Sequence, residues 1–243
     1  MRRINEILAG FEALPLAGVD EILGGQRALI LAPHPDDESL GCGGLIAAAC
    51  AVGLPPVVVL LTDGAASHPG SKLYPPARLA ALRRDEVRQA ARILGLPDDN
   101  LYCLGYPDGA LLSQGSGLEA AVAGIAEIAA ARGLGVVVGP WAGDPHCDHE
   151  AGAAIAAAVA GARGMALLSY PVWGWLAPAR RLVDEPRQGG WRLDVSAYLP
   201  VKRRAIAAHE SQYGALITDS PHGFQLPAEL LAIFERDFEV FVA

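Results

Sequence analysis

Short apolar runs bounded by turn residues alternate along this chain with longer segments whose apolar positions recur at helical period. The runs at 27–32, 56–62, 100–104, 135–139 and 166–171 read as strands. Helical period marks 43–52, 77–94, 117–132, 149–163, 200–212 and 228–238, and 4–14 reads as an amphipathic helix. Strand and helix alternating in this way predict an α/β fold, a Rossmann-like three-layer sandwich with a mostly parallel sheet. Two connections, 63–76 and 172–190, are long enough to serve function. In open α/β sheets ligands bind outside the carboxyl ends of the strands, so polar residues just after strands are where chemistry is sought.

The run 27–32 leads straight into Pro33-His34-Pro35-Asp36-Asp37-Glu38-Ser39, an imidazole and three carboxylates at a strand's end. The prolines restrict the backbone, so that His34 and Asp37 converge on one point while Asp36 stands beside it. On an open surface such a loop is merely solvated or caps the next helix. In a cleft, like charges this close need a cation or protons. A second cluster, Asp144-Pro145-His146-Cys147-Asp148-His149, follows the run 135–139. Alone it reads equally well as an Asp144 or Asp148 helix cap with surface histidines. Taken with the first cluster it points to a metal: His34, Asp37 and His149 form a two-histidine, one-carboxylate zinc shell that leaves a position open for water. Iron or cobalt suits the same ligands. A metal held this way lowers the pKa of its water to about 7. Asp36 is then the leading general base, and a protonated His146 steadies the oxyanion and protonates the departing amine, with Asp148 orienting its ring.

Composition narrows the partners. In 243 residues, 27 acidic side chains against 19 basic give a net charge of −8, the wrong sign for binding nucleic acid or an anionic membrane. A small polar substrate is expected, handled by one domain spanning 1–243. Cys42, Cys50, Cys103 and Cys147 form no CxxC pair and are expected as reduced thiols. The charge-free stretch 39–62 is split by Gly53, Pro55 and Pro56, which argues against a membrane span. Acids interrupt 4–14, which argues against a signal segment, so the expected location is the cytoplasm.

Ala32-Pro33-His34-Pro35-Asp36-Asp37-Glu38 and His146-Cys147-Asp148-His149 resemble the paired signatures of the PIG-L/LmbE-like zinc-dependent N-deacetylases. The resemblance extends to Arg83-Arg84-Asp85-Glu86, Gly105-Tyr106-Pro107-Asp108-Gly109 and His209-Glu210-Ser211-Gln212. It implies removal of an N-acetyl group from an N-acetylglucosamine-type sugar or glycoside, with zinc on His34, Asp37 and His149, Asp36 as base, His146 as electrophile or acid, and a homo-oligomeric assembly. Cys147 stands where relatives often have proline, and Asp144-Pro145 where some have Tyr or Arg.

Further positions carry two readings each. Arg83 and Glu86 lie on or beside the apolar stripe of helix 77–94; they either pair with each other or Arg83 reaches a sugar hydroxyl. Gln212 lines the pocket or hydrogen-bonds in the core, and Asp108 binds substrate or closes its turn. His68, His209 and His222 read as surface or locally bonded, and Trp141, Trp173 and Trp175 as core or sugar-stacking. A zinc hydrolase for a different N-acyl amide is one alternative, and two more lie outside this enzyme class. Gly41, Gly43 and Gly44 hint at a nucleotide loop, but their spacing does not fit G-x-G-x-x-G; an inactive metal binder is the other.

Overall fold

A computed structural model of the chain describes residues 1–111, 115–185, 189–214 and 216–243. The chain opens with β1 (Arg2–Arg3), α1 (Ile4–Glu12), β2 (Leu16–Ala17) and α2 (Val19–Leu23). Strand and helix then alternate through β3 (Ala28–Ala32), α3 (Asp37–Ala51), β4 (Val57–Thr62), α4 (Pro76–Ile93), β5 (Leu101–Tyr106), α5 (Gly115–Arg132), β6 (Val136–Pro140), α6 (Cys147–Arg163) and β7 (Ala166–Tyr170). After these come β8 (Leu182–Val183), β9 (Gly190–Asp194), α7 (Leu199–Ala207), α8 (Glu210–Tyr213), α9 (Ala228–Phe234) and β10 (Phe238–Val242).

Eight strands form one sheet in the order β2-β9-β10-β7-β6-β3-β4-β5. From β7 through β5 every neighbour is parallel, with Ile30 beside Val58 on one side and Val138 on the other. Alternate residues of β3 feed opposite cores: Ala28, Ile30 and Ala32 pack with α3, α4 and α7, whereas Leu29 and Leu31 pack with α5 and α6. A strand buried on both faces has no polar alternation, which is why these runs are unbroken in the sequence. The chain moves from β3 to β4 on one side and later returns through β6 on the other, so the strand order reverses at β3 and opens a crevice there.

Three expectations shift. The helix expected at 43–52 begins at Asp37, so two acids occupy its first turn, where the helix dipole favours them. The helix expected at 200–212 breaks at His209 into α7 and α8. The helix expected to reach 238 stops at Phe234, and Phe238 instead starts β10, which lies antiparallel between β7 and β9. The stretch 39–62 becomes most of α3 plus β4, and no helix among the described residues is long and apolar enough to cross a membrane.

The glycines of α3 serve close packing. A Cβ at Gly41 would overlap the Tyr170 ring, and one at Gly44 would overlap Val195. Glu239 of β10 thereby reaches the helix, accepting the N–H of Gly44 at 2.7 Å and of Leu45 at 2.8 Å, and the Lys202 ammonium at 2.7 Å. Lys202 and Glu239 are both buried. Glu239→Ala strands that buried ammonium and removes an acceptor from two helix N–H groups, and should cost about 3–5 kcal/mol in urea unfolding. Replacing both partners, Lys202→Met with Glu239→Leu, should recover a large part of the loss.

Candidate active site

Every polar loop of interest leaves the carboxyl end of a parallel strand. Thr62 pins the first: its N–H and Oγ donate to the Pro33 carbonyl at 2.9 and 2.8 Å. Asp37, 1% exposed at the start of α3, sits between two rings. Its Oδ2 accepts the His34 N–H at 2.9 Å and lies 3.2 Å from His34 Nδ1 and 3.2 Å from His149 Nε2. Asp37 Oδ1 and His149 Nε2 are nevertheless buried without a hydrogen-bond partner.

Asp144 orients His149. Its Oδ2 takes the Nδ1 proton at 2.9 Å and the Val172 N–H at 2.9 Å, while Oδ1 takes the Gly174 N–H at 2.7 Å. With Nδ1 committed, Nε2 is the ring atom that faces Asp37. Burial opposes charge on His149, but Asp37 and Asp144 outweigh it and push the imidazole up to about 9. His34 is likewise raised despite burial, by Asp108, Asp148 and Asp37. Asp37 is held far below the usual carboxylate range: burial works to raise it, and the two rings prevail.

Asp148 acts otherwise than expected. Its carboxylate contacts His34 Nε2 at 3.1 Å and accepts the N–H groups of Gly109 at 2.7 Å and Leu111 at 3.1 Å. Burial notwithstanding, these donors bring it down to about 2. The His146 ring is held instead by the Asp148 backbone N–H, which donates to Nδ1 at 3.1 Å and makes His146 the N-cap of α6. Neither Asp144 nor Asp148 caps that helix. Burial, then the neighbouring rings of His34 and His149, lower the His146 pKa, so its neutral ring carries the proton on Nε2.

Asp36 is the single non-glycine with positive φ among the described residues, at φ 132° and ψ −31°. Its N–H donates to Glu38 Oε2 at 3.0 Å, and its Oδ2 accepts from Arg83 Nη2 at 3.1 Å. Burial and the Asp37 charge lift its carboxyl to about 7 against Arg83, His209 and His34. Arg83 also donates to the carbonyls of Pro35 and Gly64. It does not pair with Glu86, whose carboxylate accepts the N–H and hydroxyl of Ser211, both at 2.7 Å.

A cavity of about 700 Å³ opens over these groups and is lined by His34, Asp36, Arg83, Asp108, His146 and Gln212. Asp108 does more than close its turn: Oδ2 accepts the Ala66 N–H at 2.9 Å, and Oδ1 lies 3.3 Å from His34 Nε2. Gln212 donates to Ser67 and Ser211 while its Oε1 is buried without a partner. His209, fully buried, pairs with Glu38 at 3.0 Å. Trp141 is core, donating to Glu185, whereas Trp173 lines the cavity. Cys147 is exposed and belongs to neither of the His/Asp groups close enough to share an ion, His34-Asp37-His149 and His34-His146-Asp148.

The family described as PIG-L: GlcNAc-PI de-N-acetylase matches residues 29–160, from β3 to α6. The chain belongs to the PIG-L family. It is 30% identical over 200 residues to a Bacillus anthracis protein described as "Probable N-acetyl-alpha-D-glucosaminyl L-malate deacetylase 2", covering 80% of this chain and 84% of that one. It is 35% identical over 139 residues to the 2'-N-acetylparomamine deacetylase of Streptomyces fradiae, 51% of this chain and 48% of that one. Its fold is that of the N,N'-diacetylchitobiose deacetylase from Pyrococcus horikoshii, at TM-score 0.65 and 21% identity over 90% of this chain and 84% of the other. In this PIG-L chain both clusters fall inside the matched span, whereas Gln212 and Trp173 come from beyond it.

Asp144, Glu38 and His209 escaped the sequence reading as supports of the site. For Asp144 the available signal was its place five residues before His149 in a strand-end loop. The strained Asp36 backbone gives a direct test. Asp36→Gly and Asp36→Ala both delete the carboxylate, but only glycine relieves the dihedral. The glycine variant should be more stable by roughly 1–2 kcal/mol in urea unfolding.

Proposed function

We propose that this chain is a zinc-dependent hydrolase that removes the acetyl group from an N-acetylated amino sugar or its glycoside. The orphaned pair at the centre of the site carries the reading. His149 Nε2 and Asp37 Oδ1 are buried and unpartnered, a cost that a divalent ion bound by His34, Asp37 and His149 removes. The alternative set through Asp148 is weaker, because that carboxylate is already taken up by two backbone N–H groups and a ring. Two imidazoles with one carboxylate suit zinc. When bound, zinc lowers the pKa of water to about 7 and polarises a carbonyl.

The remaining work falls to the chain's own groups. Asp36, with a carboxyl near 7 in the absence of metal, accepts a proton from the attacking water and returns it to the departing nitrogen. Neutral His146 donates from Nε2 to the developing oxyanion. Asp148 contributes through its N–H to His146 and its carboxylate to His34. Arg83 holds Asp36 in place, while Asp108 and Gln212 Oε1 offer acceptors to sugar hydroxyls. The substrate class also draws support from relatives named as deacetylases of N-acetylglucosaminyl malate and N-acetylparomamine.

Amine release from N-acetylglucosaminides should vanish on chelation and return with zinc. Asp36→Asn should lower kcat by about a hundredfold or more with metal content unchanged, whereas His149→Ala should lose the metal. Turnover indifferent to chelation, or to Asp36→Asn, would overturn the reading.

Metal loading should also be proton-linked. His149 stays protonated up to about 9 in the metal-free chain, so a metal must displace that proton. Apparent zinc affinity should therefore climb as pH rises from 6 through about 9, as the ligand rings give up their protons. Calorimetry at pH 7 in buffers of different ionisation enthalpy should show net proton release.

A further inference from the structure

We propose that the outer part of the cavity is a subsite for an uncharged, apolar aglycone, an aryl or alkyl group carried on the acetamido sugar. The inference rests on the deacetylase reading above and names the substrate class for that site. At about 700 Å³ the cavity lies in the upper part of the roughly 300–1,000 Å³ range of drug-sized sites, and a single sugar ring leaves much of it empty. Beside the catalytic groups, and apart from Ser67 and His222, its lining is apolar: Trp173, Leu176 and Pro178 from the loop after β7, Phe224 from the segment before α9, and Pro69 from the loop after β4.

Charge points the same way. Arg83 is the single lysine or arginine among the described lining residues, and both its Nη atoms are already engaged by Pro35, Gly64 and Asp36. His222 aside, a carboxylate or phosphate on the aglycone would be desolvated here with no cation to meet it.

The wall is built in advance. Phe224 meets Trp173 edge-on at 5.5 Å, and its N–H donates to the Ser67 carbonyl at 2.8 Å. Ser220 Oγ donates to the Pro69 carbonyl at 2.9 Å, and the Gly174 N–H to Asp144 at 2.7 Å. A surface already fixed costs little to order when a ligand binds. Leu176, 39% exposed, continues the apolar strip to the rim, so the subsite stays open to a longer chain.

The test compares zinc-loaded enzyme on N-acetylglucosamine and its methyl, phenyl, octyl and malate glycosides. The phenyl and octyl compounds should exceed the methyl compound about tenfold or more in kcat/KM, chiefly through KM, and the malate compound should fall below it. Phe224→Ala and Trp173→Ala should bring the phenyl-to-methyl ratio toward one. Equal values for phenyl and methyl, or a preference for malate, overturn the subsite while leaving deacetylation intact. If no compound is turned over, the deacetylase reading fails, and calorimetric binding decides the subsite. Phenyl binding tenfold tighter than methyl upholds it, and equal or undetectable binding of both overturns it.

Discussion

Three consecutive carboxylates, Asp36, Asp37 and Glu38, are buried at the amino end of α3, and the rest of the site follows from how each is neutralised. Each finds its own partner from a different part of the fold. Arg83 comes from α4 to Asp36, His149 from α6 to Asp37, and His209 from the break between α7 and α8 to Glu38. The helix dipole lowers the cost of gathering negative charge at this end, but no single partner suffices, since an unpaired buried charge is prohibitive. The acidic turn thus binds helices from both layers to one point above the sheet.

The same requirement accounts for the unusual backbone. Asp36 follows a proline and immediately precedes the helix, and its φ of 132° is fixed from both sides by Glu38 and Arg83. Such strain persists only where surrounding contacts over-determine it. Arg83, one of those contacts, at the same time opposes the burial and the Asp37 charge that lift the Asp36 carboxyl.

What the sequence disclosed and what it withheld divide along physical lines. Of the five parallel strands, β3, β4 and β6 were legible because burial on both faces leaves uninterrupted apolar runs. β10 was not, because only Glu235-Arg236-Asp237 separates it from α9 and its pairing is antiparallel and long-range. The meeting of His34, Asp37 and His149 was readable from strand-end placement. The supports were not: Asp148 bonding to His34 and Glu86 to Ser211 depend on how loops distant in sequence meet, which no local spacing encodes. The glycines of α3, read in isolation as a hint of a nucleotide loop, acquire their meaning from Tyr170, Val195 and Glu239, all far along the chain.

Asp144 ties two tasks together, holding the ring of His149 with the same carboxylate that anchors the backbone at Val172 and Gly174. The stretch bearing Trp173 and Leu176 is therefore moored to the His149 ring. Its course cannot drift during evolution without tilting His149, although its side chains are free to change. Diversification of this scaffold should proceed by resurfacing a fixed wall rather than by rebuilding the loop, leaving new specificities written in residue identity at 173, 176 and 178.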